Sequence, residues 1–226
     1  MPLSDSNKLE FQRQLLAWFQ QAGRDFPWRS QSDPYAILVA EKLLQQTAAR
    51  DVVVRAYEQF LYKYPTPWHL AAANVSDIQE IIQSLGLRYR AKEFSLLAQE
   101  LVDRHGGKVP QDLRQLLALT GVGDYTARAV LSFAFGKNIP VVDTNVARFL
   151  YRLYGIPGPL PANPARKKSL IELASGLIPS GRSRDFNLAI LDLCAQICKP
   201  ATPLCTDCPV QVYCVLDNMK GEVSCP

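Results

Sequence analysis

Four cysteines, Cys198, Cys205, Cys208 and Cys214, fall within 17 residues in the spacing C-x6-C-x2-C-x5-C, and no cysteine precedes Cys194. A disulfide framework scatters its cysteines, whereas four thiolates from one short segment can close around a single metal centre. Thiolates are soft ligands, and sets of four serve both iron–sulfur clusters and tetrahedral Zn. Spacing by itself leaves both open. The helices just before this loop need a packing partner, and the first helix of the chain can supply it.

At 226 residues the chain can bury one substantial core or two small ones. Hydrophobic residues make up 48% and charged ones 20%, the profile of an ordinary globular protein. No apolar run approaches membrane-spanning length, and the start MPLSDSNKLEFQRQ lacks the regions of a signal peptide. An intracellular place, cytoplasm or nucleoid rather than secretion, is therefore expected, and no membrane partner. Cysteines used as ligands agree with it. The net charge of +4 permits a polyanionic partner without requiring one. Cys194, inside an apolar helical run, reads as a buried thiol, and Cys225 has no expected structural role.

Helical periodicity dominates the chain. Leu9, Gln12, Leu15, Leu16 and Phe19 outline an amphipathic first helix ending near Gly23. The stretch Asp25–Pro34 reads as a connection. Helical segments are then expected at about 35–46, 50–63, 76–84, 90–105, 112–118 and 124–135. They are separated by Pro65-Thr66-Pro67, Gly86, Gly106-Gly107 and Gly121-Val122-Gly123. Ile139-Pro140-Val141-Val142 is a short apolar run broken by proline. Further helices are expected at about 144–154, 164–178 and 183–197. The fold class is all-α, with a boundary near Lys137–Asp143.

The segment Leu119-Thr120-Gly121-Val122-Gly123 places two glycines between helical runs. They permit a very tight turn, after which a helix begins with its N–H groups facing outward. Such a turn suits one phosphate of a nucleic acid backbone. A bare G-x-G is equally an ordinary helix–helix turn.

Taken together, the glycine turn, Asp143 at 20 residues beyond Gly123 and the cysteine loop resemble the helix-hairpin-helix DNA glycosylases of the endonuclease III superfamily. The resemblance runs from about Phe11 to Cys214. It implies two helical subdomains with the active site in the cleft between them. A six-helix bundle bearing the hairpin would occupy 30–137, and a subdomain carrying the iron–sulfur loop 1–29 plus 138–226. It also implies a [4Fe-4S] cluster on Cys198, Cys205, Cys208 and Cys214. The hairpin Gly121, Val122 and Gly123 would grip double-stranded DNA, and Asp143 would serve catalysis. Phe26-Pro27-Trp28-Arg29, Pro34-Tyr35 and Ala40-Glu41-Lys42-Leu43-Leu44-Gln45-Gln46-Thr47 are similar to the opening of adenine and thymine mismatch glycosylases. Gly181-x3-Asp185-Phe186-Asn187 and Asp192-x5-Cys198 extend that similarity. In this branch Glu41 matches a carboxylate of the base pocket, Gln45 a side chain inserted into the DNA stack, and Leu87 a second wedge.

Tyr125 stands where the strand-cleaving members carry a Schiff-base lysine, which implies a monofunctional glycosylase. Tyrosine here and Ala49 in Thr47-Ala48-Ala49 follow the thymine/uracil pattern; adenine glycosylases tend toward a small residue and a valine. Adenine glycosylases also continue past the cluster into a domain that reads 8-oxoguanine, whereas this sequence ends 12 residues after Cys214. Glu41-x3-Gln45-Gln46-Thr47 leans the other way, toward the adenine enzymes. The expected activity is removal of mismatched thymine or uracil (T·G, U·G), with adenine opposite G or 8-oxoguanine as the alternative. A different class, a Zn-stapled DNA-binding module without catalysis, would use the hairpin and cysteines but not Asp143 or Glu41.

In the expected mechanism the base is extruded from the duplex, and Gln45 and Leu87 fill the gap. Tyr125 walls the pocket, and Asp143 stabilises charge on the sugar and directs the attacking water. Asp143 directly precedes Thr144-Asn145-Val146, so it also reads as a helix N-cap, and both roles are compatible. Glu41 is either a pocket acid or a helix-surface glutamate. Arg182 and Arg184 are either DNA contacts or solvated charges. No oligomerisation surface stands out, so a monomer is expected.

Overall fold

Short polar side chains mark where the helices begin. In the computed structural model, which describes residues 3–45, 47, 50–86 and 88–218, Ser4 caps helix α1 (Asp5–Ala22) by accepting from the Asn7 N–H at 3.3 Å. Asp33 caps α2 (Pro34–Leu43) through the Tyr35 and Ala36 amides at 3.1 and 3.4 Å. Each such cap stabilises its helix by about 1 kcal/mol. Helices α3 (Asp51–Lys63), α4 (Pro67–Ala71), α5 (Val75–Ile82), α6 (Ala91–His105), α7 (Leu113–Leu117) and α8 (Asp124–Phe133) follow. The last are α9 (Thr144–Tyr154), α10 (Lys168–Leu177), α11 (Ser183–Gln196) and α12 (Val215–Asn218). Among the described residues every regular element is helical, as an all-α chain requires. None of these helices is long and apolar enough to cross a membrane.

Helix α4 corrects the sequence reading, which passed over it. Pro65-Thr66-Pro67 does not merely separate helices: Thr66 caps the next one and Pro67 is its first residue. Proline is tolerated there because the first N–H of a helix has no intrahelical partner anyway. The expected helix at 164–178 begins instead as a 3-10 turn at Pro164–Arg166, with α-helix from Lys168. Ala49, Leu87 and Cys225 lie outside the described residues.

The chain divides into two units, Asp25–Phe135 and Met1–Arg24 with Gly136–Pro226. In the first, α2 is buried at every position from Tyr35 to Leu43 and packs against α3 and α8. A helix enclosed this completely is apolar all round, so the two charged residues it carries, Glu41 and Lys42, need a reason. Phe60, Phe94, Leu101, Leu116 and Val130 are among the residues buried from the surrounding helices.

In the second unit α1 packs on α11, and α9 packs on α11, α10 and α12. Phe11 is the hub, with its ring 6.5 Å from Phe149, 6.3 Å from Phe186 and 5.8 Å edge-on from Tyr213. Burial of one such ring stabilises by roughly 1.5–3 kcal/mol. The apolar stripe expected of α1 is corrected at one position: Leu9 is 65% exposed, and Phe11, Gln12 and Leu15 form the buried face. Gln12 is tolerated there because its amide donates to the Leu177 carbonyl at 2.8 Å. Asp192, fully buried, accepts from both the Arg24 amide at 2.8 Å and its guanidinium at 2.6 Å, tying the end of the α1 segment to α11.

Candidate functional site

The hairpin between α7 and α8 is closed by a Val122 N–H to Leu119 C=O bond of 3.2 Å, with Gly121 at φ +70. That is the glycine position of a type II turn. The buried Leu119 and Val122 side chains anchor it from below. Thr120 donates both its amide and its hydroxyl to Glu100 of α6, at 2.7 and 3.0 Å. The Gly121 carbonyl accepts from Lys42 Nζ at 3.1 Å and from Gln45 Nε2 at 3.2 Å. A side chain at 121 would collide with the Lys42 ammonium and with Glu93, so glycine is needed for space as well as for φ. Gly123, by contrast, has φ −93 and nothing within 4 Å of where a Cβ would sit. It starts α8 without a capping side chain, and Asp124 lies in that helix's first turn. Tyr125, half-buried, sits in the first turn of α8.

Lys42 is fully buried, donating also to Glu93 at 2.8 Å and lying 5.5 Å from the centre of the Phe94 ring. Burial pushes its ammonium below the usual lysine range, and Glu93 pulls the other way. Gln45 gives its second amide bond to Thr126 Oγ1 at 3.0 Å. Arg90, itself buried, donates to the Gln45 carbonyl at 2.8 Å and so holds the backbone that follows α2. Glu41, 6% exposed, is not a surface glutamate.

In the other unit, Asp143 is the N-cap of α9: Oδ1 accepts from the Val146 N–H at 2.7 Å and Oδ2 from Asn145 Nδ2 at 2.9 Å. The apolar run before it forms no ladder, so its backbone groups need other partners. Asn187 supplies them, accepting from the Val141 N–H at 3.1 Å and donating to the Ile139 carbonyl at 2.9 Å, and Ser183 adds a bond to the same carbonyl at 3.2 Å. Sequence reasoning quoted Asn187 as part of a motif but did not foresee this job. The bond joins residues 46 apart, so nothing local in the sequence signals it. Beyond Asp143, Asn145 Oδ1 accepts from Arg148 at 3.0 Å, and Arg148 donates on to the Cys198 carbonyl at 3.0 Å. The carboxylate and the cysteine loop are thus joined by an unbroken series of hydrogen bonds.

Arg152, one turn further along α9, donates to the Lys199 and Pro200 carbonyls, both at 2.7 Å, and to Cys198 Sγ at 3.5 Å. All four cysteines of the loop line one cavity of about 40 Å3, with Phe149, Leu153, Ile197 and Val210 among its walls. Burial, and then the neighbouring sulfurs, push the Cys208 thiol up to about 12, with a Val210 backbone bond opposing. Among the described residues no three His, Cys, Asp or Glu side chains gather closely enough to hold a metal ion. Cys194 is buried outside the cavity, donating to the Asn145 carbonyl at 3.4 Å. Arg182 pairs with Asp185 at 2.9 Å.

Comparison with known proteins bears on these features together. A thymine-DNA glycosylase from Aeropyrum pernix is 39% identical over 219 residues, 95% of this chain and 97% of that protein. The human adenine DNA glycosylase is 38% identical over 215 residues, 90% of this chain but 39% of that one. The solved structure of a thermostable thymine-DNA glycosylase superposes with a TM-score of 0.87 at 36% identity, covering 95% of this chain and 98% of that one. The family model for HhH-GPD superfamily base excision DNA repair proteins matches residues 39–174, and the chain belongs to that family.

Proposed function

We propose that this protein is a monofunctional DNA glycosylase that hydrolyses the N-glycosidic bond of a mismatched thymine or uracil in duplex DNA. The observation that carries the reading is Tyr125, which follows the hairpin directly on α8 where a Schiff-base amine would otherwise stand. The likeness along nearly full length to proteins named thymine-DNA glycosylase supports it. A second reading, release of adenine, has the 38% identity to the human adenine enzyme in its favour.

The target nucleotide leaves the stack most cheaply when mispaired. Backbone amides around Gly121, Val122 and Gly123 take a phosphate near it, and Tyr125 lies along the pyrimidine. Gln45 enters the gap after giving up its bonds to Gly121 and Thr126. As the C1′–N bond breaks, its electron pair goes to the base and positive charge develops on the sugar. Glu41 stands as the acid that hydrogen-bonds the departing base. Asp143, oriented by Val146 and Asn145, stabilises that charge and accepts a proton from the water that bonds to C1′.

Cys198, Cys205, Cys208 and Cys214 would hold a [4Fe-4S] cluster. The donor set fits: four soft thiolates line one apolar-walled cavity, with the buried cations Arg148 and Arg152 beside it to offset their charge. When bound, the cluster supplies cross-linking of the loop rather than chemistry on the base.

The test is Asp143→Asn, assayed by single-turnover base release from a T·G duplex and by binding to the same DNA. Release should fall by about 1,000-fold or more, with affinity within about twofold and no adduct trapped by borohydride in either protein. Retained release would remove Asp143 from the mechanism, and a trapped adduct would mean lyase chemistry.

A further inference from the structure

Lys42 has no part in the reaction above, yet it is the one lysine on the buried helix α2, with no exposed side-chain surface. Enclosing an ammonium is costly unless it is paired and hydrogen-bonded. Its ion-pair partner Glu93 is still 35% exposed, so the pair is solvated on one side only. An apolar residue would suit α2 better as packing. What Lys42 adds is a donor to the Gly121 carbonyl, the group that Gln45 also holds.

The two donors differ in freedom. Lys42 is shut in between Glu93, Phe94 and the hairpin. Gln45 is half-buried and lies just past the end of α2. A carbonyl oxygen has two lone pairs, and both are filled here. If Gln45 were the sole donor, its departure would leave the turn carbonyl unpaired, a penalty charged to every DNA-binding event. The Gly121–Val122 peptide would then be held from its N–H side alone, by the Val122 bond to Leu119.

We propose that Lys42 is a positioning residue: a standing donor that keeps the Gly121 carbonyl paired and the hairpin in shape while Gln45 moves from the hairpin to the DNA. The inference rests on the reading of Gln45 as a residue that enters the duplex. A given holding contact can favour the DNA-bound state only by what it contributes differently there. Lys42 meets that condition because its bond matters most once Gln45 has left.

The experiment is a double-mutant cycle of Lys42→Met and Gln45→Ala, read as affinity for a duplex carrying a tetrahydrofuran abasic-site analogue opposite G. Gln45→Ala alone should weaken binding by about tenfold. Lys42→Met should cost about tenfold when Gln45 is present and no more than about twofold in the Gln45→Ala background, with single-turnover base release at saturating protein within about threefold. Equal cost in both backgrounds would overturn the Lys42 proposal while leaving the Gln45 reading intact. Unchanged binding by Gln45→Ala would overturn the Gln45 reading, and the proposal with it. Methionine in place of a buried ion-pair member leaves only the part-exposed Glu93 to resolvate, so the variant should fold. Should it not, Lys42→Met with Glu93→Leu, which removes both charges, takes its place in the cycle with the same expected costs.

Discussion

The hairpin unit and the cysteine-loop unit both hold a piece of irregular backbone with side chains reaching from helices, but they do so differently. Around Asp143 and the loop every holder is committed. Asn187 serves two backbone groups of the 139–141 run, and Arg148 and Arg152 together serve the carbonyls of Cys198, Lys199 and Pro200. Around Gly121 one holder is enclosed and the other, Gln45, sits at the unwound end of α2. In the proposed reaction a carboxylate facing developing charge gains from being fixed beforehand, whereas a grip on a duplex that is being opened has to admit a moving part.

The largest expected effect that sharpens this contrast comes from Cys208→Ser. On the proposed cluster, ligand loss removes binding energy that is also folding energy, several kcal/mol at least, and at about 2–4 °C per kcal/mol for a chain of this size the melting temperature should fall by roughly 10 °C or more. The visible absorbance of an iron–sulfur protein should go with it. Limited proteolysis should then cut within 136–218 before 25–135. Simultaneous digestion of both units would break the comparison.

A smaller pair of effects tests the division of labour. Asn187→Ala leaves the Val141 amide and Ile139 carbonyl short of a partner and loosens the approach to Asp143. It should slow single-turnover base release by about 10–100-fold while DNA affinity stays within about twofold. Gly123→Ala adds a methyl where nothing in the protein opposes it, and should weaken DNA binding by about tenfold with release at saturation retained. If both substitutions altered rate and affinity alike, the separation of grip from chemistry would fail.

Much of this was legible in the sequence because the determining groups are local. The helices announce themselves by period and by the cap Asp143, and the cysteine loop by spacing alone. The N-cap reading of Asp143 and the buried thiol of Cys194 required only the neighbouring residues. What stayed hidden depends on contacts distant in the chain. Lys42 meets Gly121 across 79 residues, Val141 meets Asn187 across 46, and Arg148 meets Cys198 across 50. A lysine or arginine in an amphipathic stretch reads as solvent-facing until the fold shows which carbonyl it reaches. Leu9 failed for the complementary reason: helical period gives a stripe, but only packing against α11 selects Phe11 as its centre.

The most direct measurement is base release from four duplexes, carrying T·G, U·G, A·G and A opposite 8-oxoguanine, followed by alkaline cleavage of the abasic sites. Thymine and uracil opposite G should be released at least about tenfold faster than adenine in either context, the strand remaining intact until alkali is added. Faster release of adenine, or no release from any of the four, would contradict the assignment.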